Sequence, residues 1–491
     1  MRISKICTVI YGSPATGVSG RTYRFVSSLV VDSVLEKHCI AMDTQVAVVG
    51  AGISGLAAAY RLRAAGHAVR VFEATDHAGG VIRTHRHDDV LIEDGPNSIN
   101  GAGPALTRVL HDLNLMETRV PANPDARNRF VVRDGRPVPI PLSLTDFLRT
   151  PLLSSRAKAG LLAEPFRPRG VRNESLARFV ARRLGREVLD YAVNPFVAGV
   201  YGGRPDQLAV QHAFPTLKQM ERDHGSLFVA GLRKTLGRTR EDEDVATLSG
   251  LFSFRDGLQT LPNALADALG DALTLQCPVQ HIRPASNGTW TLTHANGTTR
   301  ADAVLYAAPL HQLGNSITLD TAIGLDPLHA LPYAPMRSVS LVVPRDRVAH
   351  PLDGFGMLVP AVESPLRILG TIFASTLFPD RAPTGHVLLT TFVGGARHPD
   401  HMQMGEAAVQ QMVQRDLGSL LGLSGTPTYT RHVTWPHAIP QYTASHGRLQ
   451  GRLDALEAAH PGLRFAGNYR SGISVEDAFD SGWNAAGTLM T

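Results

Sequence analysis

Gln45-Val-Ala-Val-Val49-Gly50-Ala51-Gly52-Ile53-Ser54-Gly55 is the stretch on which the reading of this chain turns. Residues 45–49 are apolar and β-branched, so they predict a buried strand, and the Ala/Leu-rich residues 56–65 after the glycines predict a helix that Gly66 ends. A second strand, Ala68-Val-Arg-Val-Phe72, follows, and Glu73 stands at its end. This is the order strand, turn, helix, strand, acid, with the acid about 20 residues beyond the glycines, which defines a dinucleotide-binding unit. Gly50 permits the tight turn, Gly52 lets the backbone approach a pyrophosphate, and Gly55 lets the helix pack closely on the strand. Ala51, Ile53 and Ser54 complete the turn, where the helix N-terminus offers amide donors to phosphate. Glu73 suits ribose hydroxyls and disfavours a 2′-phosphate, which wants an arginine there.

Outward from this unit, 491 residues exceed what one hydrophobic core organises, so lobes that share a cleft are expected. The hydrophobic fraction of 43% and charged fraction of 19% are those of an ordinary globular chain. The net charge of +5 comes from dispersed arginines, without the basic block that nucleic acid recognition uses, so no nucleic acid partner is expected. With Cys7, Cys39 and Cys277 there is no disulfide framework and no CxxC pattern, which points to a reducing, cytoplasmic setting. No apolar run has the length of a spanning helix, which leaves a peripheral membrane protein open. Residues 1–41 carry no strong periodicity and Met42 directly precedes the first strand. Met42 is therefore read as the true start and residues 1–42 as an extension, with a cleaved presequence as the alternative.

After Glu73 and Ala74, the segment contains the doublet Gly79-Gly80 and then Arg83. The whole stretch resembles the opening of the flavin amine oxidase superfamily, in which doublet and arginine extend the phosphate site; the resemblance implies FAD rather than NAD. Further on, Glu93-Asp-Gly95-Pro96-Asn97-Ser98-Ile, Asn194-Pro-Phe-Val-Ala-Gly199-Val-Tyr201, Phe254-Arg-Asp-Gly257, Leu369-Gly-Thr-Ile-Phe and Phe465-Ala-Gly467-Asn468-Tyr-Arg-Ser-Gly472-Ile473-Ser474-Val475-Glu-Asp477 occur in the order found in the protoporphyrinogen oxidases of that superfamily. The chain resembles that family over nearly all of residues 42–491.

The fold the resemblance implies is α/β: a Rossmann-like FAD-binding domain, a mixed-sheet substrate domain and a helical, membrane-associated subdomain. On this reading residues 43–110, 241–315 and 431–491 build the FAD-binding domain, 111–135 and 316–430 the substrate domain, and 136–240 the helical subdomain. FAD is bound without a covalent link; Ala478 stands where many relatives have cysteine, a departure not expected to change the chemistry. Gly95, Pro96, Asn97 and Ser98 pass beside the isoalloxazine, Val279 lies on the adenine side, and Asn468, Ile473, Ser474 and Val475 contact FAD. A helix beginning near Asp477 turns its N-terminus toward the reduced ring. On the substrate side, Arg129 holds a propionate, Gly199 allows close approach of a pyrrole, and Phe355, Leu358 and Phe392 form apolar walls.

No Ser-His-Asp set, HExxH or paired-carboxylate motif stands out, so no protein catalytic residue and no metal is assigned. The family reaction is the oxygen-dependent, six-electron oxidation of protoporphyrinogen IX to protoporphyrin IX with hydrogen peroxide as by-product, in haem and tetrapyrrole biosynthesis. Coproporphyrinogen III oxidation is the nearest alternative, followed by amine oxidation and by a non-catalytic FAD scaffold. The expected partners are the porphyrinogen and molecular oxygen, with peripheral contact on the cytoplasmic face of a membrane and a homodimer as further expectations. The leucines of residues 138–168, set among Arg149, Arg156 and Lys158, suit such a membrane contact. The pairs Asn287-Gly288 and Asn296-Gly297 predict hairpin turns rather than glycosylation acceptors.

Overall fold

The computed structural model describes residues 45–171, 173–236, 248–315 and 317–490; the readings made for residues 1–42 lie outside the described residues. The elements that position the site are β1 (Gln45–Val49), α1 (Ile53–Ala64), β2 (Ala68–Phe72), β3 (Asn128–Arg133), α2 (Asn194–Tyr201), β4 (Ala303–Tyr306), β5 (Tyr333–Pro344), β6 (Gly354–Leu358), β7 (Gly370–Phe373), β8 (His386–Gly394), α3 (Glu406–Leu421), β9 (Tyr429–Pro440) and α4 (Val475–Leu489).

β1 sits at the centre of a parallel sheet in the order Leu273–Thr274, β2, β1, β4, Leu463–Phe465. Its residues alternate between two cores: Val46 and Val48 pack with α1 and α4, while Ala47 and Val49 pack with Trp290, Tyr306 and Phe465. A strand buried on both faces has to be apolar throughout, which is why residues 45–49 read as a continuous run. α4 crosses α1 at very short range. The position a Cβ would take at Gly482 is 1.8 Å from the Ser54 carbonyl oxygen, and the Ser54 hydroxyl donates to the Ala478 carbonyl at 2.6 Å. The sheet therefore holds the first and last helices of the described chain against each other.

The strand that begins at Val279 runs to Pro284, and Gln276 ahead of it, with a positive φ of 52°, lies outside the extended region. Both Asn-Gly pairs fall at the ends of Trp290–His294, which pairs antiparallel with its neighbours on either side.

The second large sheet has seven strands in the order β9, β5, β8, β7, β6, β3, Arg136–Pro139. It is mixed, since β3 and β6 pair in parallel while the other pairs are antiparallel. α3 covers one face through Val409, Met412, Val413 and Leu417, against Phe130, Val132, Leu341, Met357 and Leu389. β9 pairs with β5 along its length, so this sheet continues across the boundary drawn at residues 430 and 431. Helices from Leu144–Arg149 to Leu227–Leu236 include a bundle packed around Phe179, Val180, Leu189, Val193, Val197 and Tyr201. Arg183 and Glu164, each fully buried, pair at 2.8 Å inside that bundle.

Gly482→Ala would force α4 away from the Ser54 carbonyl. We expect a loss of about 2 kcal/mol, the usual scale of overpacking, read as a lowered midpoint of thermal unfolding; an unchanged midpoint would rule out so close a crossing.

Candidate flavin and substrate site

The turn after β1 has the chemistry a dinucleotide needs. α1 starts at Gly52 with no side-chain cap, so its first amides remain for an anion. Space opens where a Cβ on Gly52 would stand, whereas at Gly55 the same atom would lie 1.9 Å from the Gly50 carbonyl oxygen. Gly52 thus leaves room for a ligand, and Gly55 lets the helix turn back on its own strand. Glu73 is buried at 9% exposure. One of its carboxylate oxygens accepts from the Ala51 amide at 2.7 Å, and the other accepts from the amide and hydroxyl of Thr75 at 2.9 and 2.8 Å. That lattice fixes the acid beside the turn, Ala74 lies between its two anchors, and the Cys277 amide donates to the Glu73 carbonyl at 2.7 Å, bringing the strand that holds Val279 alongside.

The glycine doublet folds back onto the same turn. The Gly79 amide donates to the Ala51 carbonyl at 2.8 Å, and the Gly80 backbone comes against Gly52. The Arg83 guanidinium lies on the His77 ring, with nitrogens 2.5 and 2.6 Å apart. At the far end of the chain, Ser474 caps α4 in a reciprocal capping box with Asp477. Its hydroxyl is engaged there, while Ile473 packs toward the helical bundle and Val475 toward the core around α1. The Asn468 carbonyl accepts from the Tyr442 hydroxyl.

Residues 95–98 are held from both sides. The Asp94 carboxylate takes two hydrogen bonds of 2.6 Å from Arg431, and the Asp94 carbonyl takes one of 2.8 Å from Trp435, both on β9. Just before it, Glu93 accepts from the Thr84 hydroxyl, the Leu258 amide and Arg381. Arg381 also donates to the Ser253 hydroxyl and the Phe254 carbonyl. Arg381, Arg431 and Trp435 were not singled out from the sequence: they lie more than 280 positions from Glu93 and Asp94, and a lone arginine or tryptophan carries no local pattern.

The pairing register gathers most of the expected substrate residues. Leu358 faces Gly370, and Gly370 faces Phe392, so these positions form a row across β6, β7 and β8. Arg129 pairs in the row beside it, opposite Gly356 and Ile372. Both rows lie on the face opposite α3, and Asn97 lines a narrow cavity there with Ile372 and Thr390. The Gly199 Cβ position would lie 2.5 Å from a Leu358 methyl, so α2 is pressed onto the row. α2 continues from a π turn over Leu189–Val193, where Pro195 lacks the N–H that a regular helix would donate backward. Phe355 occupies a bulge between Gly354 and Gly356, which turns its ring beneath the Arg129 guanidinium at 5.6 Å. Arg397, two residues past the glycines that end β8, donates to the Val359 carbonyl and to Asn194 at the start of α2.

Comparison with known proteins accords with this geometry. Residues 53–490 match the flavin-containing amine oxidoreductases, and the chain belongs to that family; its cofactor is FAD, and it is an FAD-dependent oxidoreductase. Its similarity within the family is to the protoporphyrinogen oxidases. The mitochondrial protoporphyrinogen oxidase of Nicotiana tabacum is 35% identical over 93% of this chain and 96% of its own length. The Homo sapiens protoporphyrinogen oxidase is 32% identical over 91% of this chain and 99% of its own. A candidate protoporphyrinogen oxidase from Exiguobacterium sp. 255-15, of solved structure, superposes with a TM-score of 0.76 at 25% identity, covering 91% of this chain and 98% of its own.

Gly52→Val fills the open space above the turn without touching the core. We expect a folded protein, judged by circular dichroism, that purifies without the flavin absorbance of the parent; retained stoichiometric flavin would refute the assignment. Glu93 supplies a second prediction. Burial raises its carboxyl from 4.5 to about 7, with Asp94 acting in the same direction, against lowering by Arg381, Thr84 and Leu258. A carboxyl raised on folding stabilises the native state while protonated. That contribution is complete below about 4.5 and is lost as pH climbs through about 7. Unfolding temperatures should therefore decline across this window more steeply in the parent than in Glu93→Gln, and parallel profiles would exclude the effect.

Proposed function

We propose that the chain oxidises protoporphyrinogen IX to protoporphyrin IX in haem and tetrapyrrole biosynthesis, with molecular oxygen as the terminal acceptor. The observation that carries the proposal is the convergence of Arg129, Leu358 and Phe392 on the face of the mixed sheet that Asn97 also reaches. The names of the relatives that match along nearly their whole lengths support it. A porphyrinogen is an apolar macrocycle with carboxylate arms, and such a face offers apolar contact together with one cation.

Bound FAD supplies the two-electron acceptor. The chain's own work is to bind and orient. Arg129 takes a propionate through charge-assisted hydrogen bonds, and its place over Phe355 sets the direction from which that arm enters. Leu358 and Phe392 exclude water from the ring edge. Gly199, with no side chain, leaves the macrocycle as much depth as the Leu358 methyl can yield. Six electrons and six hydrogens leave the substrate in three two-electron steps, each balanced by one O2 reduced to H2O2, and imine–enamine tautomerisation between rounds lets one bound orientation, with one meso carbon at the flavin, serve all three. Apolar walls with Arg129 as the anchoring cation hold that orientation.

The helical subdomain supports a membrane-surface location on the cytoplasmic side. Leu144, Leu148, Leu162, Phe166 and Val171 are all exposed, Phe166 to 89%, among Arg149, Arg156 and Lys158. Among the described residues no helix is long and apolar enough to cross a membrane.

Purified FAD-loaded protein, given protoporphyrinogen IX or coproporphyrinogen III in air and followed by porphyrin fluorescence, tests the reaction; a preference for the second substrate, or no turnover, would overturn it. In Arg129→Ala we expect KM for protoporphyrinogen to rise about 10- to 100-fold with FAD content unchanged, on the scale of one charged hydrogen bond. An unchanged KM would remove Arg129 from the binding site.

A further inference from the structure

Beyond the flavin and substrate site, the turn that leaves β8 brings together two histidines and a carboxylate for which the proposed reaction has no use. His398 precedes a 3-10 turn over Pro399–Gln403 that contains Asp400 and His401. In that geometry side chains three apart eclipse one another, and the two imidazoles accordingly stack with ring centres 4.8 Å apart and planes 15° from parallel. One ligating atom from each of His398, Asp400 and His401 lies within 4.8 Å of the others. His401 is only 3% exposed, and its Nδ1 has no hydrogen-bond partner. A buried polar nitrogen without a partner is costly, and a ligand there would relieve the cost.

From this arrangement we infer that His398, Asp400 and His401 form a binding site for a divalent transition metal ion of the zinc class. Two imidazole nitrogens with one carboxylate oxygen suit zinc, cobalt, nickel or copper, whereas magnesium and calcium prefer oxygen throughout. Tetrahedral zinc with bonds near 2.0 Å sets its ligands roughly 3.3 Å apart, so the three groups have to draw in slightly. Asp400 is exposed and His398 half-buried, which leaves both free to move. Asp400 and His401 also border a cleft of about 360 Å³, lined further by Arg367, Met404, Gln411, Met412 and Arg415. The remaining coordination positions can open into that cleft, toward water or a small anion.

The positive neighbours limit the affinity without filling the site. Arg337 donates to the carbonyls of His401 and Met404, and Arg415 lies 3.6 Å from Asp416. Arg367 shares the cleft, so its charge favours an anionic ligand in the open position.

The test uses the full-length, untagged, FAD-loaded protein, stripped with chelator and titrated with Zn2+ alone by calorimetry, then with Co2+ by visible absorption. We expect one strong site per chain, unaffected by millimolar Mg2+. Affinity should weaken at least tenfold in both His398→Ala and Asp400→Asn, while metal-free porphyrinogen oxidation and unfolding temperature stay at parent values in both variants. A parent protein that takes up no Zn2+ at tens of micromolar, or one whose strong site persists at full affinity in the two variants, would overturn the assignment. Neither result bears on the oxidase reading, which turnover without metal reports separately.

Discussion

Two adjacent carboxylates, Glu93 and Asp94, connect the parts of this protein. Each meets an arginine from the mixed sheet side: Arg381 reaches Glu93 at 3.3 Å and Arg431 holds Asp94 at 2.6 Å. Ion pairs this poorly hydrated contribute little net stability, because desolvation offsets the attraction, but breaking one leaves a buried charge uncompensated. Their effect is therefore on geometry. They pin the segment that begins at Gly95 between the parallel sheet and the mixed sheet.

The two halves of the site are built by different means. Around the turn after β1, the parts are close in sequence and the backbone supplies most of the groups a dinucleotide needs: helix amides, glycines that clear space, and one acid fixed by its neighbours. On the mixed sheet, residues from four strands and a helix meet because a register sets them opposite one another. Leu358, Gly370 and Phe392 share a row only while β6, β7 and β8 keep their pairing. A slip of one residue would turn the whole row into the core beneath α3.

The His398–His401 turn lies outside that division. It follows from the local habit of a 3-10 turn, just past the end of β8. No HExxH motif stands out in the sequence and no metal is assigned from it; His398-Pro-Asp-His401 lies outside that pattern. What distinguishes it is that two stacked imidazoles and a carboxylate bring ligating atoms within 4.8 Å of one another around a buried, unpartnered ring nitrogen, a juxtaposition no spacing records.

Legibility followed distance along the chain. The β1–α1–β2 unit, with Glu73 at its end, could be read directly because strand period, glycine turn and helix start are encoded within thirty residues; the helix expected near Asp477 was also found, while its Ser474 cap was not read from the sequence. Arg129, Gly199 and Phe392 were reached through resemblance, and nothing local distinguished them from core residues. Arg381, Arg431 and Trp435 were not legible at all. The π turn ahead of α2 and the bulge at Phe355 also escaped, since each is a small departure from a regular element imposed by its packing. The sequence by itself determined the nucleotide-binding unit, because local hydrogen bonding and burial period dictate it. Only the tertiary structure decided which distant charges meet Glu93 and Asp94 and which side chains share a face, because strand register and domain docking are set by the whole chain at once.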